Sequence, residues 1–272
     1  MTEWPDSYVH ANGIDIYYHR TGGLNQPAII LLHGVMDNGQ CWTPVARDLQ
    51  ERFDVIMPDA RGHGRTGGSL EGLSYNLLAD DVAALIRSLG LEKLYLFGHS
   101  MGAMTAATVA ANYPDLVRAI VLEDPPLRDA APAGASGEEP EQQTLQLMQG
   151  ILVLRSLSPE ERLVVARTYN PMWDEAELAP WVESKVEFNL EVFQYLETVV
   201  PWRELFPRIN CPTLLVTGDP EFHAMVTPQA AQTAASLLQK GEVIQIPGAG
   251  HSVHRDRYVE TMAPIQAFLG RV

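Results

Sequence analysis

Residues 94–103 read LYLFGHSMGA, an apolar run that ends at a glycine and is followed two positions later by a serine. Gly98 and Gly102 stand two positions before and two positions after Ser100, which is the Gly-x-Ser-x-Gly pattern of a nucleophile elbow. The apolar run predicts a buried strand, and the small residues after Met101 predict a helix that packs closely on a sheet. We therefore predict that Ser100 lies on a strained strand-to-helix turn, where its hydroxyl projects as a nucleophile.

The rest of the chain repeats this alternation of strand and helix. Apolar runs that predict buried strands occupy residues 28–34, 54–60, 93–99, 118–124, 212–218 and 242–248. Helical patterns occupy residues 42–52, 74–89, 101–112, 227–238 and 255–269. Such alternation predicts the α/β class, with a mostly parallel central sheet and helices on both faces. Near the start of the chain, Asn12-Gly13 predicts the two-residue turn of a β-hairpin.

The alternation lapses between the fourth and fifth of these strands. Residues 128–142 are rich in Ala, Gly, Pro and Glu, which predicts a connector. Ser158-Pro159-Glu160-Glu161 then predicts the start of a helix, with a capping box and a proline in the first turn. We therefore predict a core formed by residues 1–125 and 209–272, and an inserted helical cap formed by residues 126–208.

The composition restricts the class of protein and of partner. The chain has 272 residues, of which 46% are hydrophobic, and this is enough for one large domain with an insertion. Its 34 acidic and 19 basic side chains give a formal net charge of −15, which disfavours nucleic acid, anionic membranes and polyanionic substrates. The sequence has neither a signal-peptide pattern nor a long apolar run, so we expect a cytoplasmic protein. The composition is compatible with a homo-oligomer and does not determine the oligomeric state.

The cysteines and histidines do not show the spacing of a metal site. Cys41 and Cys211 stand far apart, and we expect two buried thiols rather than a disulfide. The eight histidines are scattered, and none is paired with cysteine or carboxylate at a spacing typical of metal ligands. The sequence therefore predicts neither a metal ion nor a cofactor.

A serine nucleophile needs a general base and an oxyanion hole. His251 follows a glycine turn after the last predicted strand, where a loop can hold it over the strand ends, and we prefer it as the base to His254. The backbone amide of Met101, at the start of the helix, is one expected oxyanion donor. The amide of Val35, which follows His33-Gly34 at the end of the first parallel strand, is the other.

Five motifs together resemble those of the α/β-hydrolases, and the resemblance covers nearly the whole chain. They are LLHGVMDN (31–38), PDARGHGRT (58–66), GHSMGA (98–103), TGD (217–219) and GAGH (248–251). The resemblance implies the α/β-hydrolase fold. It also implies that the loop of Asp59, Arg61, Gly62, His63 and Gly64 supports the oxyanion side of the site.

The acid of the expected triad stays open among three carboxylates. Counting forward from the glycine of TGD favours Glu221, and some acyl-homoserine lactonases of this fold are similar in using a glutamate there. Asp124 ends the strand after the elbow helix, and zearalenone lactonases resemble this arrangement. Asp219 is the third candidate. Counting back from Met225-Val226 instead places His223 at the expected position, because the loop contains about two extra residues. We prefer Glu221, then Asp124, then Asp219.

A serine at the elbow favours hydrolysis of a carboxylic ester or lactone and disfavours the relatives that use an aspartate nucleophile. The expected substrate is small and neutral, in a pocket lined by Met36, Met104, Leu127, Trp173 and Trp181. Three alternatives share the resemblance. The chain could be a cofactor-free haloperoxidase or perhydrolase, a carbon–carbon bond hydrolase, or a ligand receptor that turns over slowly.

Overall fold

The computed structural model describes residues 4–23, 25–128, 138–196 and 199–272. The described residues form eight strands that pair into one sheet. The strands are β1 Asp6–Ala11, β2 Ile14–Arg20, β3 Ala28–Leu32, β4 Asp54–Pro58, β5 Leu94–His99, β6 Val117–Glu123, β7 Thr213–Thr217 and β8 Gly241–Gln245. The six apolar runs correspond to β3 through β8, so the prediction of these strands is confirmed.

The helices lie between the strands, as the sequence predicts. They are α1 Thr43–Leu49, α2 Tyr75–Ser88, α3 Met101–Asn112, α4 Glu138–Ser156, α5 Pro159–Tyr169, α6 Glu175–Glu187, α7 Val192–Tyr195, α8 Trp202–Leu205, α9 Pro228–Leu237, α10 Val253–Asp256 and α11 Tyr258–Leu269. One prediction is wrong in detail, because the helix expected over 255–269 is divided. Arg257 has an extended φ of −141°, which ends α10 before α11 begins.

The strands follow the order β1-β2-β4-β3-β5-β6-β7-β8 across the sheet. Strand β2 runs antiparallel to both of its neighbours, and the pairs from β4 to β8 are parallel. The mostly parallel α/β sheet is therefore confirmed. The hairpin is confirmed as well, because Asn12 and Gly13 connect β1 to β2 with φ values of +48° and +75°, which suit a two-residue hairpin turn.

Alternate residues of the parallel strands face opposite layers of helices. Ile30 of β3 packs in a cluster with residues of α2, α3 and α9, whereas Ile29 packs in a second cluster with residues of α1 and α11. This follows from the two-residue period of a strand. The sheet is thus covered on both faces, and its C-terminal edge is left for the loops that carry the candidate site.

Among the residues that the structure describes between β6 and β7 are the helices α4 to α8, and we call them the cap helices. The predicted start of α5 is confirmed, because Ser158 and Glu161 form a complete capping box. Most of the connector predicted over 128–142 lies outside the described residues, and α4 begins at Glu138. The predicted boundaries of core and cap at residues 126 and 208 stay a prediction.

The structure bears on the state of the two cysteines and on membrane-spanning segments. Cys41 and Cys211 are both free thiols; Cys41 is buried, but Cys211 is only partly buried. Among the described residues, every helix is too short or too polar to cross a membrane.

Candidate active site

The elbow at Ser100 has the backbone strain that its sequence predicts. Ser100 has a φ of +53°, and α3 begins at the next residue. A side chain at Gly98 would overlap the carbonyl oxygen of Gly102, and one at Gly102 would overlap the carbonyl oxygen of Leu32. The two glycines therefore let α3 lie directly against the ends of β3 and β5, which holds Ser100 in its strained conformation.

The pairing of β5 with β6 brings Ser100 beside Asp124. His99 pairs with Glu123 in the parallel register, so both strands end at the same level of the sheet. The amide of Ser100 donates a hydrogen bond of 2.8 Å to the carbonyl of Glu123, and the amide of Asp124 donates one of 2.9 Å to the carbonyl of Val216. Both side chains consequently emerge at the C-terminal edge, where the loop after β8 carries His251.

His251 connects the other two side chains. Its Nε2 lies 3.0 Å from Oγ of Ser100, and its Nδ1 lies 2.7 Å from Oδ2 of Asp124. The Asp124 side chain is fully buried, whereas that of His251 is 34% exposed. A carboxylate can only accept, so Nδ1 carries the proton and Nε2 is left to accept the hydroxyl proton of Ser100. This is the tautomer that a general base requires.

Asp124 is held from two sides. Its Oδ2 also accepts the amide of Met225 at 2.7 Å, and its Oδ1 accepts the amide of Val226 at 3.0 Å. Asp124 has a φ of +41°, a conformation that is costly for a residue other than glycine. The two amides and the imidazole stabilise the carboxylate in this conformation, and the loop after β7 thus supplies donors to the acid instead of supplying the acid.

The order of preference among the three acids is therefore corrected. Glu221 is exposed within a short 3₁₀ turn, Pro220–Phe222. The Asp219 side chain accepts the amide of Glu221 at 3.2 Å, so it caps this turn. Asp124, the second choice from the sequence, is the carboxylate that contacts His251. No sequence signal reveals the roles of Met225 and Val226, because they act through their backbone.

The expected oxyanion donors lie close to Ser100. A Cβ atom on Gly34 would stand 3.4 Å from Cβ of Ser100, so the loop from Gly34 to Val35 passes beside the serine. Met101 is the first residue of α3, and the amides of a first helical turn have no intrahelical acceptor. The assignment of the Val35 and Met101 amides to an oxyanion hole stays a prediction that this placement permits.

Buried side chains anchor the loop that carries Val35. Nε2 of His33 accepts the amide of Ala60 at 3.0 Å, and Nδ1 then donates to the carbonyl of Gly34 at 2.8 Å. Burial lowers the pKa of His33 to about 4, which keeps the ring neutral and able to accept. Asp59 accepts the amide of Gly39 at 2.7 Å. Residues of the 58–66 motif thus support this loop, as the family resemblance implies.

His254 lies beneath the site and contacts a different carboxylate. It is wholly buried, with Nδ1 2.8 Å and its backbone nitrogen 3.1 Å from Oε1 of Glu123. Burial works to raise the pKa of Glu123, but the charge and hydrogen bonds of His254 lower it to about 2. The pair fastens the helix that follows His251 to the end of β6. No local sequence signal singles out Glu123.

The predicted substrate pocket is only partly supported. Met104 is fully buried in the core between α3 and the sheet, so its assignment to the pocket is wrong. Trp173 and Trp181 pack on each other at 5.6 Å within a cap cluster, and Trp173 donates to Asp256 at 2.7 Å. In the described part of the chain, no contact joins either ring to Ser100, and the assignment of both rings to the pocket stays a prediction.

Leu127 and Met36 remain pocket predictions. Leu127 is buried near the end of β6 and belongs to the same apolar cluster as Met101. Met36 is half-buried in the loop beside Ser100 and has a φ of +68°.

Comparisons with known proteins agree with this fold. A 2-(acetamidomethylene)succinate hydrolase of Mesorhizobium japonicum is 29% identical over 252 residues, which cover 89% of this chain and 88% of that protein. An sn-1-specific diacylglycerol lipase of Mus musculus, ABHD11, is 24% identical over 91% of this chain and 82% of its own. The crystal structure of an enol-lactonase from Burkholderia xenovorans superposes with a TM-score of 0.78 at 21% identity, covering 97% and 100% of the two chains.

At this level of identity the superposition shows the fold alone. The family itself is shown by the sequence, because residues 27–258 match the family described as alpha/beta hydrolase fold. This range includes β3 to β8, the elbow and the loop of His251. The chain belongs to the α/β-hydrolase fold family.

Proposed function

We propose that this chain is a serine hydrolase that cleaves carboxylic esters or lactones through an acyl-enzyme intermediate. The observation that carries the proposal is the 3.0 Å contact between Oγ of Ser100 and Nε2 of His251. A serine hydroxyl is a weak nucleophile at neutral pH, and an adjacent base oriented by a third group activates it. Asp124, 2.7 Å from Nδ1, supplies that third group.

The reaction follows from these contacts. His251 accepts the hydroxyl proton at Nε2 while Oγ of Ser100 attacks the substrate carbonyl carbon, and Asp124 stabilises the imidazolium that forms. The amides of Val35 and Met101 donate to the oxyanion. His251 then gives its proton to the leaving alcohol oxygen. Water, deprotonated by the same imidazole, attacks the acyl carbon, and the imidazolium returns the proton to Oγ of Ser100 as the acyl–oxygen bond breaks.

Two observations support a neutral substrate. The buried cations beside the site, Lys185 and Arg255, already pair with Asp37 at 2.5 and 2.9 Å, so they do not offer a free charge to a substrate carboxylate. The chain as a whole carries a formal charge of −15, which repels polyanions. The name of one relative, a diacylglycerol lipase, is compatible with ester cleavage. The proposed steps use no cofactor.

Turnover of p-nitrophenyl acetate tests the proposal. We expect steady release of p-nitrophenol over many enzyme equivalents, and we expect Ser100→Ala to abolish it. A single burst of one equivalent followed by almost no release would contradict the enzyme and favour a slow ligand receptor. Release that persists in Ser100→Ala would contradict the role of the serine.

A further inference from the structure

The loop that carries the Val35 amide ends in a tight turn. The amide of Asp37 donates to the carbonyl of Gly34 at 3.1 Å and closes a four-residue turn, with Val35 and Met36 between them. Met36 has a φ of +68°, which is unfavourable for a side chain of this kind. The position of the Val35 amide therefore depends on what holds Asp37.

Asp37 is held by two cations from distant parts of the chain. Its Oδ1 lies 2.5 Å from Nζ of Lys185 in the cap helix α6, and its Oδ2 lies 2.9 Å from Arg255 in α10. All three side chains are at least 95% buried. Burial works to raise the pKa of Asp37, but Arg255 and Lys185 together hold it well below its usual range. The carboxylate is therefore charged and bound on both oxygens.

Further contacts link the same loop to the same cap helix. Asn38 donates to Glu187 at 2.9 Å, and the thiol of Cys41 lies 3.6 Å from the carbonyl oxygen of Pro180. These contacts, like the pair of Asp37 and Lys185, join the loop after β3 to α6. Burying the charges of these ion pairs costs free energy, so the pairs are a weak source of stability for the fold. A role in fixing one arrangement of the loop after β3 against α6 fits them better.

We propose that Asp37 is a positioning residue that couples the seating of the cap helix α6 to the geometry of the oxyanion donor Val35. Lys185 holds Asp37 from the cap, and Arg255 holds it from the helix that follows His251. The turn from Gly34 to Asp37 is fixed only while both cations are in place. This inference rests on the proposed function, because it assigns the Val35 amide to the transition state of that reaction.

Lys185→Met tests the coupling, and Glu183→Gln is its matched control. Glu183 lies on the same helix and pairs with Arg162 inside the cap at 3.0 Å, so its loss leaves Asp37 untouched. A displacement of the donor by about 1 Å lowers the rate by up to about 100-fold. We expect Lys185→Met to lower kcat on p-nitrophenyl acetate about 10- to 100-fold and to leave KM within about twofold, because the donor acts in the transition state.

Hydrogen exchange of the backbone amides over residues 33–41 gives a second readout that does not need activity. We expect exchange there to speed up in Lys185→Met and to stay unchanged in Glu183→Gln. If Lys185→Met does not fold, the neutral pair Asp37→Asn/Lys185→Met replaces it, with the same expected losses.

Three outcomes overturn the coupling. They are unchanged exchange over residues 33–41, faster exchange with an unchanged kcat, and equal effects of Lys185→Met and Glu183→Gln. A wild-type protein that does not turn over any ester would instead overturn the proposed function, and the exchange measurement would still decide whether α6 holds the loop.

Discussion

Nδ1 of His251 lies 2.7 Å from Oδ2 of Asp124, although the two residues are 127 positions apart in the chain. The carboxylate reaches the imidazole from the end of β6, and the loop after β7 contributes the amides of Met225 and Val226 to the same carboxylate. The acid is therefore fixed by strand pairing and by two backbone donors, and small movements of the exposed turn at Glu221 should leave it in place.

Replacing each carboxylate in turn should show whether Asp124 or Glu221 is the acid that orients His251. We expect Asp124→Asn to lower kcat on p-nitrophenyl acetate by about 10⁴-fold, because an amide at this position favours the wrong tautomer of His251. The matched control, Glu221→Gln, should leave kcat unchanged, since Glu221 is exposed. Steady-state kinetics of the two variants measures this. A collapse of kcat in Glu221→Gln with an active Asp124→Asn would contradict the assignment.

Gly102, two positions after Ser100, should be needed for the stability of the fold. A Cβ at Gly102 would overlap the carbonyl of Leu32, so we expect Gly102→Ala to lower the free energy of unfolding by about 3 kcal/mol. Gly150→Ala is the control, because an added Cβ in this exposed helix meets nothing within 4 Å. It should raise the free energy of unfolding by about 0.5 to 1 kcal/mol. Urea unfolding of both variants checks the contrast, and a stable Gly102→Ala would count against the close packing of α3.

Buried neutral histidines should make the protein sensitive to acid. Burial lowers the pKa of His33 to about 4 and the pKa values of His63 and His99 to about 3. In the unfolded chain these rings bind protons below about pH 6.5, so stability is lost as the pH falls below that value. Asp59 opposes this, because burial raises its pKa to about 6 and the folded state then binds a proton that the unfolded state does not.

The net effect is an uptake of about two protons on unfolding near pH 5. We expect the free energy of unfolding to fall by about 2 to 3 kcal/mol per pH unit in that region. Urea titrations at pH 7, 6 and 5 measure the slope. A free energy that stays constant or rises on acidification would show that these histidines are not buried in the neutral form.

The elbow at Ser100 and the position of His251 were predictable because their signals are local. Gly98, Ser100 and Gly102 belong to one turn. The five-residue pattern itself contains the two glycines that the close packing of this turn requires. The strands were predictable for a similar reason, since a buried parallel strand needs a continuous apolar run. His251 follows from its place after the last strand of such a sheet.

The acid and the cap contacts were not predictable, because they depend on how distant segments meet. The preference for Glu221 over Asp124 came from counting residues along the loop after β7, and no local pattern reports the direction in which that loop turns. Trp173 and Trp181 were assigned to a pocket on the aromatic composition of their segment, which does not report that they pack against a cluster of the cap helices. Asp37 and Lys185 form an ion pair although they are 148 positions apart in the chain. The residues next to either of them in the sequence carry no pattern that predicts this pair.

Labelling with a fluorophosphonate decides whether Ser100 is the activated nucleophile of the proposed reaction. Intact-protein mass spectrometry should show one adduct on the wild-type chain, and peptide mapping should place it on Ser100. Ser100→Ala should remain unlabelled under the same conditions. An adduct on any other residue, or equal labelling of Ser100→Ala, would contradict the account.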